Sequence, residues 1–320
     1  MNHLWRNRVV MTVSLLAAFA ATSTLRAADV PATIEEIVKP FRNLPTLGQK
    51  LTFFGITIEK LDYQAKEKYG FQGFMGCYVS DPGKYWKDLG ISTLEPGAQV
   101  SMIADVNRVV NRTALFPASL AAATLECRSK SIVEEGQKKY YLVRWVIKHP
   151  KTTDPQSGYS DELIKITPEG LKELETIFRP VTIAGVTFSY ADQELRDKHG
   201  MAINEFVIVT GVNKEVVHGG LEKLKEGHSI IMVSVPGTGS GVFCPVDLGI
   251  NILKFIEPSQ GDPNTYTVDL SVVTHKKGEQ TPDSQSYTLR LKAEDLRALA
   301  AAVKPRAAGS ANKAMNSDKK

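Results

Sequence analysis

The chain repeats itself: the stretch from Phe54 to Phe71 aligns without a gap on the stretch from Ala184 to Met201. At this shift the identical residues are Gly55 and Gly185, Thr57 and Thr187, Asp62 and Asp192, Lys68 and Lys198, and Gly70 and Gly200. Matching glycines and apolar residues continue, with small changes in length, over about 120 residues, and such a shared order indicates duplication of one structural unit. We therefore predict two copies of one module, copy one (50–178) and copy two (180–303), and expect each copy to fold independently. A helical or linker segment (28–49) is predicted to precede copy one.

Both copies predict the same order of strands and short helices. The predicted helices are Tyr63–Tyr69, Pro117–Glu126 and Pro168–Ile177 in copy one, and Gln193–His199, Pro245–Glu257 and Ala293–Val303 in copy two. Proline in the first turn and glycine after the last turn are the start and stop signals on which these bounds rest. A further short helix is predicted before Gly90 and before Gly220, and the polar segments 151–161 and 276–286 predict loops.

The two ends of the chain have the composition of a signal and a tail. Residues 1–27 combine an arginine-bearing start, an apolar run from Val9 to Thr22 and a small residue, Ala27, after which we expect a signal peptidase to cut. That run is shorter than the roughly 20 residues of a spanning helix, which favours cleavage over an uncleaved anchor. The expected location is periplasmic or secreted. Residues 304–320 are small, polar and basic, and predict a disordered tail.

The charge balance of the chain bears on which partners it can bind. The chain has 39 basic and 35 acidic residues, and removing the three arginines of the signal leaves 36 against 35. A nearly neutral mature chain gives no reason to expect nucleic acid as a partner.

The cysteines Cys77, Cys127 and Cys244 are an odd number, so at least one stays unpaired in an exported protein. The sequence leaves open a Cys77–Cys127 bond.

Each copy opens with a hydrophobe, a glycine and a hydrophobe before a strand, Phe54-Gly55-Ile56 and Ala184-Gly185-Val186, and later has a Gly-hydrophobe pair six residues before a turn glycine. This order resembles the PDZ domain in its bacterial form, as found in tandem in periplasmic high-temperature-requirement serine proteases. The resemblance implies an α+β fold of two tandem PDZ-like modules. Each would be a small, partly open antiparallel β-barrel or sandwich with two or three short helices plus a C-terminal helix. Ala98 and His228 replace the family's Asp, and Arg108 replaces its turn glycine.

The resemblance also implies a binding site. In that family a peptide adds as a strand to a sheet edge beside a helix, and backbone N–H groups of a loop bind its carboxylate. The loop would be Leu51–Gly55, the receiving strand Ile56–Glu59, and the helix would begin at Pro117. The implied peptide-binding residues are Phe53, Phe54, Gly55, Ile56, Ile58 and Leu120 in copy one, and Ile183, Ala184, Gly185, Val186, Phe188, Leu248 and Ile252 in copy two. Ala184 predicts a smaller pocket in copy two. Plain core packing explains the same apolar pattern.

Sequence motifs for catalysis are lacking. The string Gly237–Gly241 does not match a nucleophile elbow, the six histidines contain no H-x-x-x-H pair, and there is no P-loop. We therefore expect no enzyme activity, no cofactor and no metal. The sequence favours an exported adaptor, of the kind used in protein quality control, that binds peptide segments or protein C-termini of other exported or envelope proteins by strand addition. The alternative is an architectural protein with degenerate grooves packed on a fixed partner.

Overall fold

The computed structural model of the chain describes residues 33–71, 76–150, 158–275 and 282–304. The predicted signal peptide (1–27) and all but the first residue of the predicted tail lie outside these ranges. Helix α1 (Ile34–Arg42) falls in the segment expected to be helical or a linker.

The order of elements repeats along the chain. Copy one contains β1 (Lys50–Phe53), β2 (Ile56–Lys60), α2 (Tyr63–Tyr69), β3 (Cys77–Asp81), β4 (Gln99–Ala104), β5 (Asn111–Thr113), α3 (Pro117–Cys127), β6 (Val133–Glu135), β7 (Lys138–Lys148), β8 (Tyr159–Ile166) and α4 (Pro168–Ile177). Copy two contains β9 (Val181–Ile183), β10 (Val186–Tyr190), α5 (Gln193–His199), β11 (Val207–Val212), β12 (Ser229–Val235), β13 (Thr238–Gly241), α6 (Pro245–Phe255), β14 (Glu257–Ser259), β15 (Asp262–Thr274), β16 (Asp283–Lys292) and α7 (Ala293–Val303). The described elements follow one another in the same order in both copies.

All sheet pairings in the described residues are antiparallel, so the α+β class is confirmed. Copy one has a three-stranded sheet, β1-β2-β3, and a five-stranded sheet, β5-β4-β7-β6 with β8 on the other edge of β7. In copy two the corresponding strands join into one eight-stranded sheet, β14-β15-β12-β11-β10-β9, with β13 on β12 and β16 on β15. The join is the single pair Ile208–Ser229 between β11 and β12.

The caps explain the helix bounds. The carboxylate of Asp62 accepts the backbone N–H of Ala65 at 2.7 Å, and Gly70 ends α2 with a φ of 71°. Asp192 and Gly200 repeat both devices at α5. Side-chain caps and left-handed glycines satisfy backbone groups that a helix end leaves unpaired, and the bounds predicted for these two helices are confirmed.

Some local predictions were wrong. The helix predicted over Pro245–Glu257 ends at Phe255, because Glu257 begins β14 and pairs with Thr267 of β15. The short helices expected before Gly90 and Gly220 are successive turns, with bonds such as Leu89 N–H to the carbonyl of Trp86 at 3.2 Å. The stretch is too short to complete the i to i−4 pattern that sustains an α-helix. Residues 159–161 and 283–286, expected in loops, extend strands β8 and β16 because they pair with β7 and β15.

Both copies lie in one compact unit that begins at Val38. Phe116, at the start of α3, packs on Phe243, just before α6, with ring centroids 4.6 Å apart. Within copy one, Trp145 of β7 is fully buried and donates its indole N–H to the hydroxyl of Thr124 on α3 at 3.1 Å. The expected domain boundaries, and independent folding of the two halves, stay predictions.

Candidate functional site

The apolar residues predicted to bind peptide lie in the core. Phe54 is 8% exposed and Ile183 2% exposed. The fully buried members of the set are Phe53, Ile56, Ile58, Leu120, Val186, Phe188, Leu248 and Ile252. Of the predicted positions only Gly55 is exposed, while Ala184 and Gly185 are half-buried. The strands that carry these residues contact the groove helix of their own copy, α3 or α6, and the fully buried side chains of the set are packed in the core.

The strand that was to receive the peptide is paired on both edges. In copy one, β2 pairs with β1 on one side and β3 on the other; in copy two, β10 lies between β9 and β11. An added strand needs a free row of N–H and C=O groups. The prediction of an open edge at Ile56–Glu59 was therefore wrong, because the chain's own preceding strand occupies it in each copy.

The predicted carboxylate-binding loop is a tight hairpin. Leu51 to Phe53 belong to β1, and only Phe54 and Gly55 form the turn, with φ of 53° and 72°. Ala184 and Gly185 repeat this turn at 44° and 85°. Positive φ at both central residues is the geometry of the common two-residue hairpin turn, which follows the twist of the strands. A bulky residue such as Phe54 rarely adopts it.

The terminal helix of each copy covers the same region. The ring of Phe54 lies against Gly170 of α4, where an added Cβ would be 3.1 Å from the ring. Burial raises the pKa of the Glu173 carboxyl, also on α4, although the facing N–H of Phe54 lowers it. In copy two, Val303 and Leu299 of α7 pack so closely on Gly249 of α6 that a Cβ there would overlap Val303. The apolar area that distinguishes Phe54 from Ala184 is thus used in packing.

Contacts between the copies were not predicted. Glu126, at the end of α3, accepts the hydroxyl of Tyr190 at 2.7 Å and the guanidinium of Arg196 at 3.1 Å, both from copy two. Arg112 of β5 also pairs with Glu126, at 3.4 Å. The Arg196 side chain is only 5% exposed. Through this buried contact the carboxylate of Glu126 links α3 to α5, although Glu126 and Arg196 lie 70 residues apart in the chain. Burial raises the pKa of Tyr190, and the charge of Glu126 adds to that effect.

A second set of contacts ties the segment before β1 to copy two. We call residues 42–48 the arm; it runs along helix α6 from its C-terminal to its N-terminal end. The guanidinium of Arg42 donates to the carbonyls of Lys254 and Ile256 at 2.6 and 2.9 Å. Lys254 donates to the carbonyl of Leu44 at 2.8 Å, and the N–H of Leu47 donates to Asp247 at 2.8 Å. A cation at a helix C-terminus and a carboxylate in the first turn both complement the helix dipole.

The cysteines have no reactive character. All three are buried free thiols, so the Cys77–Cys127 bond that the sequence left open is not formed. Burial raises the pKa of Cys77 to about 12 and that of Cys127 to about 11. A thiol needs its thiolate form to act as a nucleophile or metal ligand. Within the ranges that the structure describes, no three His, Cys, Asp or Glu side chains are placed to hold a metal ion.

Comparison with known proteins identifies no relative: no family model, no curated protein and no solved structure matches this chain. Among the described residues, none of the helices combines the length and apolar character needed to cross a bilayer.

Proposed function

We propose that this chain is an exported, non-catalytic scaffold protein built from two PDZ-like modules whose peptide grooves are filled by their own preceding strands. It holds two rigid modules in a fixed arrangement and contacts envelope partners through its outer surface. The proposal takes up the architectural alternative rather than the adaptor with open grooves.

One observation carries the proposal: in both copies the strand beside the groove helix is paired on both of its edges. A groove with a free edge in one copy would leave room for an adaptor. Because the same hairpin closes both, the module as duplicated has no unpaired strand to offer at this position. The contacts of Glu126 and of the arm support the fixed arrangement of the two modules, because they join copy one and the segment before it to copy two through buried polar groups.

A second candidate, peptide capture by strand exchange, rests on the turn that holds the filling strand. Phe54 and Ala184 adopt left-handed conformations that cost a non-glycine residue about 1–2 kcal/mol, and β9 is only three residues long. In this version an external segment replaces β1 or β9, and the modules act as an adaptor after opening.

Peptide binding separates the two candidates. We expect the mature chain to bind no member of a library of hydrophobic C-terminal peptides, with free or amidated ends, because pairing with β1 and β9 leaves β2 and β10 no free edge. Fluorescence polarisation at rising peptide concentration measures this. Saturable binding that disappears on amidation would favour the adaptor, and competition of that binding by a peptide with the sequence Lys50–Phe53 would identify strand exchange as its route.

A further inference from the structure

A cleft of about 440 Å³ opens on the surface of copy two, next to the first turn of helix α7. Its lining comes from the turn before Gly220, from strands β15 and β16 and from α7, and consists of His218, Gly219, Thr265, Arg290, Lys292 and Glu294. The N–H of Arg290 donates to the carbonyl of Gly219 at 2.7 Å, and a Cβ on Gly219 would overlap the carbonyl of Arg290. Glycine therefore lets the turn lie directly against β16, and backbone contacts hold this part of the cleft.

Two polar side chains of the lining are already bonded within the fold. His218 has the carbonyl of Val216 at 2.9 Å from its Nδ1 and the carboxylate of Asp295 at 3.1 Å from its Nε2. Thr265 donates its hydroxyl to the carboxylate of Asp262 at 2.6 Å. The imidazole and the hydroxyl therefore have fixed positions, and the two neighbouring carboxylates are occupied by these bonds.

The other three polar side chains of the lining are charged and have no contact partner. Arg290, Lys292 and Glu294 are exposed, and within the part of the chain that the structure describes their side chains form no ion pair and no hydrogen bond. Arg290 and Lys292 alternate along β16, which places both cations on the same face of the strand. Glu294 lines the same cleft with the opposite charge but does not pair with either cation. The cleft thus presents two free cations and one free carboxylate.

Copy one has a cation at the position of Arg290, and there it is neutralised. The N–H of Lys165 donates to the carbonyl of Leu89 at 2.8 Å, as the N–H of Arg290 does to Gly219, so the two cations are equivalent in the repeat. The ammonium of Lys165 pairs with the carboxylate of Glu135 at 2.6 Å. The cation of copy one therefore has a partner within the chain.

The residue that corresponds to Glu135 in copy two carries no charge. Glu135 and Gln260 both precede the left-handed glycine of a hairpin turn, Gly136 between β6 and β7 and Gly261 between β14 and β15. Copy two thus has an amide in place of the carboxylate and an arginine in place of the lysine. The guanidinium fork of Arg290 can bind a carboxylate through two hydrogen bonds, which an ammonium group cannot do.

We propose that this cleft binds a small zwitterion, a free amino acid, with its carboxylate on Arg290 and Lys292 and its ammonium group on Glu294. A simple anion would be attracted by the two cations but repelled by Glu294, whereas a ligand with both charges a few bonds apart satisfies all three groups. A cleft of about 440 Å³ has room for the side chain of an amino acid as well as for its two charged groups. This site goes beyond the proposed function and needs no peptide groove.

Titration of the full mature chain, followed by NMR of its backbone amides, tests the proposal. The probes are the common amino acids, added singly, with acetate and methylammonium as ligands that carry only one of the two charges. We expect at least one amino acid to shift the amide signals of Gly219 and Thr265 saturably. Its Kd should be lower than that of acetate by about tenfold or more, because a hydrogen bond to a charged group contributes a factor of at least that size.

Two variants distinguish the two ends of the ligand. Arg290→Gln should weaken the binding of the amino acid and of acetate alike, by about tenfold or more. Glu294→Gln should weaken the binding of the amino acid but leave that of acetate unchanged or tighter, because it removes a charge that repels an anion. Lys165→Gln is the matched control, since it removes the equivalent cation of copy one and should change neither Kd.

Three results would overturn the proposal. The first is that no amino acid shifts the signals of Gly219 and Thr265 saturably. The second is that acetate binds as tightly as every amino acid and Glu294→Gln strengthens both, which would describe a plain anion site. The third is that Lys165→Gln weakens binding as much as Arg290→Gln does. None of these results depends on peptide binding to a groove, so the proposed function stands or falls separately.

Discussion

Replacing Phe53 by alanine is expected to lower the free energy of unfolding by about 3–5 kcal/mol, the usual cost of deleting a fully buried aromatic ring. Phe53 lies on β1, has no exposed surface, and packs its ring 5.1 Å from that of Phe54 and 6.1 Å from that of Trp145, centroid to centroid. The loss would show that β1 is an integral part of the core. Chemical denaturation followed by tryptophan fluorescence measures it.

Thr52→Ala is the control for this prediction. Thr52 lies on the same strand and is exposed, and its hydroxyl lies 3.0 Å from that of Thr57 on the neighbouring strand. An exposed cross-strand pair contributes about 0.2–1 kcal/mol. Equal, small losses for both variants would mean that β1 is not packed in the groove and that the site is open.

Replacing Glu126 by alanine is expected to cost about 3–5 kcal/mol, because it leaves the buried guanidinium of Arg196 without its carboxylate. The hydroxyl of Tyr190 loses its acceptor in the same variant. Since both partners belong to copy two, the effect should appear as a lower midpoint for the whole cooperative transition. Urea denaturation monitored by circular dichroism measures it.

Glu134→Ala provides the comparison for Glu126. Glu134 pairs with Lys139 at 3.1 Å, but both side chains are more than half exposed, at 65% and 58%. Exposed pairs contribute about 0–1 kcal/mol. A loss for Glu126→Ala no greater than that for Glu134→Ala would contradict the view that buried polar contacts hold the two copies together.

Local structure could be predicted from the sequence because its signals are local. Because the chain is duplicated, each copy predicts the same order of elements. Asp62 and Gly70 indicate the two ends of α2, since both caps act within one helical turn. The strand β1 carried a readable signal that the resemblance obscured. Lys50 to Phe53 alternates polar and apolar residues and meets β2 across a two-residue turn ending in glycine, which is the pattern of a hairpin.

The site could not be predicted because its outcome depends on contacts between distant segments. A hydrophobe, a glycine and a hydrophobe fit both a carboxylate-binding loop and the hairpin turn found at Phe54 and Gly55, and only the pairing of β1 with β2 decides between them. Asp247 had the local appearance of an ordinary acidic residue in the first turn of a helix. It is buried where it accepts the N–H of Leu47, and the sequence of the arm contains no sign of where the arm docks.

Amide exchange at the strand beside each groove helix tests the central claim most directly. Leu51 lies opposite Ile58, and Val181 opposite Phe188. Because bonded pairs alternate from the turn pair, the N–H groups of Ile58 and Phe188 point to the filling strands. We predict that, without any ligand, these amides exchange as slowly as those of Glu59 and Ser189, which point to the opposite neighbours. Fast exchange at Ile58 and Phe188, slowed only by an added peptide, would contradict the claim that each groove is filled by the chain itself.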